Sequence, residues 1–235
     1  MNRKRAAVSI GLLVAVVLLA AAIAASLKYR PTFYRVALAE QTSPEVRREQ
    51  AKTFVQTTLQ LVDAIRHDDR WSREFTEEAV NGWLAEELPA KYSEWLPPDV
   101  STPRIKFDRG VLRIAFESRR GVLGAVISGQ VRPWVTGPNQ LALEIESARV
   151  GLVPVPADEI LGDFVKNMNS AGWRMEWKST GAKDVLVIDL DGADLPLDGG
   201  ERPVLESVDL GPRLLRISGR RSAEIARAPA ARSTL

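Results

Sequence analysis

The spacing of apolar residues predicts a long amphipathic helix in the first part of the chain. Apolar positions recur at helical spacing from Val46 to Ile65, with arginine and glutamate on the other side. Ser43 is a good N-cap residue and Pro44 suits the first helical position, so the helix is predicted to begin there. It is expected to extend to about Arg70 and to lead into a folded domain.

The stretch FTEEAVNGWLAEEL predicts a second helix. Thr76 is its expected N-cap, and Phe75 and Val80 occupy the two positions of a hydrophobic staple. Proline cannot continue a helix, so Pro89 is expected to end it. The apolar stripe of this helix is predicted to face a sheet, and it consists of Val80, Trp83, Leu84 and Leu88.

From Pro103 the apolar period changes to two, which predicts β-strands joined by tight turns. Asp108-Arg109-Gly110 and the residues from Thr136 to Asn139 are the predicted turns. The apolar phase shifts near Ser147, which predicts a β-bulge or a bend at that point. The residues that alternate on the apolar side are Ile105, Phe107, Leu112, Ile114, Phe116, Ile127, Val131, Leu141, Leu143 and Ile145.

The last third of the chain adds one helix and further strands. A helix is predicted from Ala157 to about Met168, a hairpin from Trp173 to Leu190, and a final strand around Leu214 to Ile217. Together these patterns predict an α+β fold: a curved antiparallel β-meander of about five to seven strands, with amphipathic helices packed on its apolar face.

The N-terminal segment adds a membrane anchor to this fold, because Ala6 to Leu27 carries no charged residue. A stretch of about 22 apolar residues suffices to cross a bilayer as a helix, and Arg3, Lys4 and Arg5 favour a cytoplasmic N-terminus. The predicted single-pass protein has a cytoplasmic head (1–5), a transmembrane anchor (6–27), a juxtamembrane connector (28–42), an extracytoplasmic or periplasmic domain (43–218) and a disordered basic tail (219–235). A cleaved signal peptide is the alternative, since Ala22, Ala24 and Ala25 offer small-residue cleavage sites.

Both ends of the predicted domain are expected to meet the membrane surface. In the connector, the aromatic residues Tyr29, Phe33 and Tyr34 are predicted to lie at the membrane interface. The basic residues from Arg213 onward can dock on anionic lipid or on an acidic envelope partner. The calculated pI of 9.0 reflects basic clusters at the two ends, because acidic residues outnumber basic ones between Lys28 and Pro212. Such a body, without a basic stripe, argues against nucleic acid as a partner.

Residues that support catalysis are scarce. The single histidine, His67, lies among charged residues, and the chain has no cysteine, so a histidine-based nucleophile system and a thiolate metal site are both excluded. The second helix carries four glutamates, interpreted as helix-dipole partners and solvent-facing groups, namely Glu77, Glu78, Glu86 and Glu87. An acidic turn lacks the spacing of an EF-hand and leaves calcium a minor alternative; it contains Asp189, Asp191, Asp194 and Asp198. No enzymatic activity, cofactor or metal is predicted.

The candidate binding site is the apolar face of the predicted sheet. Its small residues Ala125 and Gly129 leave room for an acyl chain or another apolar ligand. A fully packed core under the helices is the alternative. Beside a membrane anchor, the pattern favours a non-enzymatic envelope protein that binds lipid, and an interaction module of an envelope assembly is the second hypothesis. The candidate residues are Val80, Trp83, Leu84, Phe107, Leu112, Ile114, Phe116, Ile127, Leu143 and Ile145.

A family resemblance adds to these expectations. It is carried by an anchor, the strands of PRIKFDRGVLRIAF, and two sets of residues between Phe75 and Met168, namely Thr76, Glu77, Asn81 and Leu84, and Gly151, Pro154 and Pro156. These features resemble the YpmS and YceB types of small bacterial envelope proteins. The resemblance implies a non-enzymatic protein, similar in some relatives to tubular lipid-binding folds. YceB-type proteins are lipoproteins, whereas this chain has no cysteine to carry the lipid.

Overall fold

The computed structural model describes residues 22, 25–40, 43–93, 96–119, 124–170, 172–180, 183–190 and 201–223. The helices of this part of the chain are α1 (Thr32–Glu40), α2 (Pro44–His67), α3 (Glu77–Lys91) and α4 (Ala157–Ser170). The strands are β1 (Arg70–Thr76), β2 (Val100–Asp108), β3 (Val111–Ser118), β4 (Ala125–Gly137), β5 (Gln140–Val150), β6 (Val153–Pro154), β7 (Arg174–Thr180), β8 (Lys183–Asp189), β9 (Glu201–Gly211) and β10 (Leu214–Ala223).

The strands form two antiparallel sheets, and the chain has the predicted α+β class. The large sheet has seven strands in the order β2-β3-β4-β5-β8-β7, with β6 paired to β5. The small sheet has three strands in the order β1-β10-β9. Within the described ranges, no helix combines the length and the apolar character that a bilayer span requires. Most of the predicted anchor from Ala6 to Leu27 lies outside those ranges.

The large sheet has one apolar face, because residues that pair across neighbouring strands share a face. Between Gln130 and Val131 the register shifts by one residue, and the partner on β5 changes from Ser147 to Ile145. This confirms the bulge predicted near Ser147 and keeps the alternation in phase on both sides of it. We use the name apolar face for Ile105, Phe107, Leu112, Ile114, Phe116, Ile127, Gly129, Val131, Pro133, Val135, Leu141, Leu143, Ile145, Ala148, Val150, Met175, Trp177, Leu186 and Ile188.

The opposite, polar face of the large sheet receives α1. Tyr34 of α1 is 0% exposed and packs against Ala115 and Val126, with Phe33 and Leu38 beside them. Its hydroxyl donates to the carbonyl oxygen of Thr102 at 2.9 Å, and burial raises the pKa of Tyr34, which keeps the hydroxyl protonated. The prediction that Tyr34 lies at the membrane interface is therefore wrong. Ala115 of β3 and Val126 of β4 form the site that the Tyr34 ring fills.

One end of the apolar face is closed by α2 and the small sheet. Ala64, Ile65, Trp71 and Leu205 form a buried cluster, which we call the distal cluster. Its partly buried neighbours include Val135 of the apolar face, together with Leu61, Leu190, Val208 and Ile217. The turn between β4 and β5 is tied to the same region, because Asn139 donates to the carbonyl of Pro203 and accepts from the amide of Leu205, both at 2.8 Å.

Several predicted boundaries need correction. Helix α2 ends at His67, and Arg70 begins strand β1, which the helical pattern did not predict. Pro89 lies inside α3, which continues to Lys91. The Ser43 hydroxyl makes no cap bond and donates instead to Glu45.

The C-terminal part also differs from the prediction. Strand β9 was not predicted, and the final strand runs from Leu214 to Ala223, so residues 219–223 belong to the sheet and not to a tail. Residues 224–235 of the predicted tail lie outside the described ranges, as do the acidic-turn residues Asp191, Asp194 and Asp198.

Candidate functional site

The structure brings seven of the ten predicted binding residues together on the apolar face. They are Phe107, Leu112, Ile114, Phe116, Ile127, Leu143 and Ile145. Their strands are adjacent in the sheet, so the side chains form continuous rows. One row joins Phe107, Leu112, Val131 and Ile145, and another joins Phe116, Ile127 and Val150.

Most of the apolar face is only half-buried. Ile105, Phe107 and Leu186 are buried, and every other residue of the face keeps an intermediate exposure. A filled core of this size would bury most of its central side chains. The face therefore differs from the distal cluster and from the site of Tyr34, where the packed residues are closed off from solvent.

Small residues lie in the middle of the face. Ile114, Gly129 and Ala148 form one row, so two adjacent strands present almost no side chain there. A Cβ atom at Gly129 would come within 3.2 Å of the carbonyl oxygen of Ser147 and 3.9 Å of the Ile114 side chain. The row is thus a shallow depression between larger apolar neighbours.

Helix α4 flanks the other edge of the large sheet. A cavity of about 680 Å³ lies between this helix and β7, and its lining includes Gly162, Val165 and Trp177. Phe164 on the same helix is 38% exposed, whereas the other large apolar residues of α4 are half-buried or buried. The amphipathic helix therefore leaves part of its apolar side uncovered next to the apolar face.

Of the three predicted binding residues of α3, Trp83 packs against another helix and not against the sheet face. The ring of Trp83 lies 5.2 Å from that of Phe54 on α2 and 5.7 Å from that of Tyr92. Gly82 is the point of closest helix approach, since a Cβ atom there would lie 2.5 Å from the Cβ of Gln50. The α3 stripe at Trp83 therefore packs on α2, and the prediction that it faces the sheet is wrong there. Val80 and Leu84 are half-buried.

Two polar residues of α3 form hydrogen bonds to the edge of the large sheet. Asn81 donates to the carbonyl of Ile105 at 2.9 Å and accepts from the amide of Ile105 at 2.8 Å. The amide of Phe107 donates to Glu77 at 2.7 Å, and the Phe107 carbonyl accepts from the amide of Arg213 at 3.1 Å. These bonds satisfy the backbone amides and carbonyls at the outer edge of β2, which would otherwise be open to pairing with another strand.

Glu77, which the sequence places in the first turn as a helix-dipole partner, is buried. Burial raises its pKa above the ordinary value, while the hydrogen bond from Phe107 and the charge of Arg213 oppose this rise. Sequence reasoning missed the roles of Glu77 and Asn81. The available signal was the position of Asn81 between Val80 and Trp83, where a solvated amide is not expected.

The other candidate catalytic groups are held in ion pairs, of which the pair of Glu86 is part-buried. Glu86 pairs with Arg47 at 2.5 Å, and Glu87 pairs with Lys91 at 2.5 Å. His67 is exposed and lies 3.1 Å from Asp63, as expected for a surface histidine. No group of three or more metal-ligating side chains occurs among the residues that the structure covers.

Three arginines that were predicted to belong to the basic docking segment lie in β10 or in the turn before it. Each of them forms an ion pair with a glutamate of another element. Arg213 donates to Glu78 at 2.8 Å, Arg216 to Glu74 at 2.8 Å, and Arg220 to Glu206 at 2.7 Å. These contacts connect β10 to α3, β1 and β9, so the arginines take part in the fold. Only Arg227 and Arg232 of the predicted basic cluster lie beyond the described residues.

Comparisons with protein-family models, with curated proteins and with solved structures give no significant match to this chain. The resemblance to the YpmS and YceB types stays a prediction from the sequence.

Proposed function

We propose that this protein is a membrane-anchored, extracytoplasmic, non-enzymatic protein that binds the acyl chain of a lipid on its apolar face. The observation that carries the proposal is the continuous, half-buried apolar surface across the large sheet. The residues named above as the apolar face are all uncharged, and Asp184, which pairs with Ile145, is exposed at the start of β8. A lipid acyl chain is the apolar ligand that a protein beside a bilayer meets most often.

The anchor in this proposal is the apolar segment from Ala6 to Leu27. Its length matches a bilayer span, and its last residues meet the domain directly, because the Ser26 carbonyl accepts from the amide of Leu152 at 3.1 Å. This contact holds the end of the apolar segment against the turn between β5 and β6.

The site fits binding better than catalysis. A reaction on an acyl ester requires a nucleophile, a base and a group that orients the base. The apolar face offers none of the three. The second candidate function, an interaction module of an envelope assembly, depended on a basic docking tail. The ion pairs of Arg213, Arg216 and Arg220 offset much of the positive charge at the start of that tail.

Lipid binding can be tested on the full chain, extracted from host membranes and examined by native mass spectrometry. We expect a bound lipid in the wild type and several-fold less in Ala148→Phe, because the added ring fills the depression beside Gly129. Gln130→Phe is the matched control, since it places the same ring on the polar face of β4. A wild type without bound lipid, or equal loss in both variants, contradicts the proposal.

A further inference from the structure

The N-terminal segment is held tightly against the turn between β5 and β6. The Ser26 carbonyl accepts from the amides of Leu152 and Tyr29, at 3.1 and 3.2 Å. Gly151 in this turn has a φ of 61°, and a Cβ atom there would lie 1.9 Å from the Ser26 carbonyl oxygen. Only glycine permits both the backbone conformation and this close approach.

A second connection holds the same segment at the same end of the sheet. Arg30 pairs with Glu117 of β3 at 2.6 Å, and the chain then continues into α1, where Tyr34 is buried on the polar face. Contacts on β3, β4 and β5 therefore fix the direction in which the domain leaves the apolar segment. A domain on a flexible tether would make no such set of contacts.

The surface at this end carries exposed apolar residues with basic residues around them. Leu152 is 48% exposed, Val153 45% and Tyr29 43%. Three basic residues lie nearby in the chain or at the adjacent strand ends and are exposed, namely Lys28, Arg119 and Arg149. Exposed aliphatic side chains beside cations suit the interface of an anionic bilayer.

The apolar face ends at this surface. The amide of Gly151 donates to the carbonyl of Val126 at 2.7 Å, so the turn adjoins the row of Phe116, Ile127 and Val150. We call these three residues the anchor-side row. They belong to neither the distal cluster nor the cluster around Tyr34. At the far end, Val135 packs against the distal cluster.

We infer that the turn at Leu152 and Val153 docks on the surface of the anionic bilayer that holds the anchor, and that the anchor-side row is where an acyl chain enters the apolar face. This inference rests on the proposed anchor and lipid site, and it adds the direction from which the acyl chain enters the site. The distal cluster closes the other end, so the acyl chain enters from the membrane and extends toward Val135.

The absence of cysteine from the chain allows a direct test. Leu152→Cys and Val153→Cys, each labelled with an environment-sensitive fluorophore, are reconstituted as full-length protein into vesicles of phosphatidylcholine and phosphatidylglycerol. The matched control is Arg109→Cys, in the exposed turn between β2 and β3 at the opposite end of the sheet. We expect nitroxide-bearing lipid to quench the labels at 152 and 153 several-fold more than the label at 109.

The tether geometry is tested by Gly151→Ala, which places a methyl group against Ser26. In this background the quenching at position 153 is expected to fall toward that of position 109. Equal quenching at 109 and at both turn positions in the unmodified background overturns the docking inference.

Failure of docking and failure of lipid binding are separable. Bound lipid in native mass spectra together with water-exposed labels at 152 and 153 overturns the docking surface and leaves the lipid site standing. Membrane-embedded labels without bound lipid support the docking surface and overturn the acyl-chain site, including its entry at the anchor-side row.

Discussion

Asn81 makes two hydrogen bonds to the backbone of Ile105, one as donor to the carbonyl and one as acceptor from the amide. The amide side chain thus takes the place of a neighbouring strand at the edge of β2. Asn169 of α4 makes the same pair of bonds to Met175 of β7, at 3.0 and 2.7 Å. Both outer strands of the large sheet are therefore capped by an asparagine, but only the Asn81 pair is buried.

This difference in burial predicts a difference in stability. Asn81→Ala leaves the buried amide and carbonyl of Ile105 without partners, so we expect a loss of about 2 to 4 kcal/mol of unfolding free energy. Asn169→Ala removes the same two bonds where water replaces them, and its expected loss is under about 1 kcal/mol. Denaturant unfolding of the purified chain measures both. Equal losses would show that edge capping at β2 is not what Asn81 contributes.

The buried carboxyl of Glu77 predicts a dependence of stability on pH. Burial raises its folded-state pKa above the ordinary value of 4.5. The folded state therefore holds the proton more tightly than the unfolded state, and this contribution to stability is full below 4.5 and is lost as the pH rises through the folded pKa.

Glu77→Gln keeps an oxygen that accepts from Phe107 and removes the titration. The variant is expected to be more stable than the wild type at neutral pH, by an amount that shrinks as the pH approaches 4.5. Denaturation midpoints across this range check the prediction. A gain of the same size and pH dependence in Glu78→Gln, whose carboxylate pairs with Arg213, would contradict it.

Two helical glycines are expected to respond to alanine with opposite sign. At Gly82 a Cβ atom would lie 2.8 Å from the backbone nitrogen of Ala51 and 2.9 Å from the Arg47 carbonyl. Overpacking of the α2–α3 contact should reduce the unfolding free energy by about 1 to 3 kcal/mol. At Gly162 of α4 no atom lies within 4 Å of the added Cβ, so Gly162→Ala should stabilise by up to about 1 kcal/mol through helix propensity. Thermal unfolding of the two variants measures both changes in stability. Destabilisation by Gly162→Ala as well as by Gly82→Ala would contradict the open surroundings of Gly162.

The packing of α1 predicts that the connector is part of the folded domain. Tyr34→Ala opens a cavity between α1 and the polar face, and the expected loss is about 3 to 5 kcal/mol. Tyr29→Ala changes a half-exposed side chain and should cost under about 1 kcal/mol. Limited proteolysis after residue 40 compares the two variants directly. Faster cleavage in Tyr29→Ala than in Tyr34→Ala is the outcome that would exclude a packed α1.

Local alternation made the strands of the large sheet predictable. Hairpins pair residues that are close in the chain, so the turn at Gly110 and the bulge near Ser147 follow from short stretches of sequence. Strand β1 was missed because its partner, β10, lies far along the chain. Strand β9 was missed although it forms a hairpin with β10. Nothing local in RWSREFT distinguishes the end of a helix from an edge strand.

The candidate site also has one part that the sequence predicted and one part that it did not. The sequence predicted the seven sheet residues of the apolar face, because period-two alternation is a property of each strand alone. It did not predict that Trp83 would contact Phe54, nor that Glu77 would meet a backbone amide thirty residues away. Those contacts depend on the angle at which α3 packs between α2 and the edge of β2.

The sequence by itself determined the α+β class, the order of most elements and the apolar character of one face of the large sheet, because these features arise from the local spacing of side chains. Only the tertiary structure decided what meets each face. It buried Tyr34 on the polar face, placed Asn81 and Glu77 on a strand edge, and left most of the apolar face half-buried. Packing between distant segments is set by shape and by hydrogen-bond satisfaction across the whole fold, and a linear pattern contains neither.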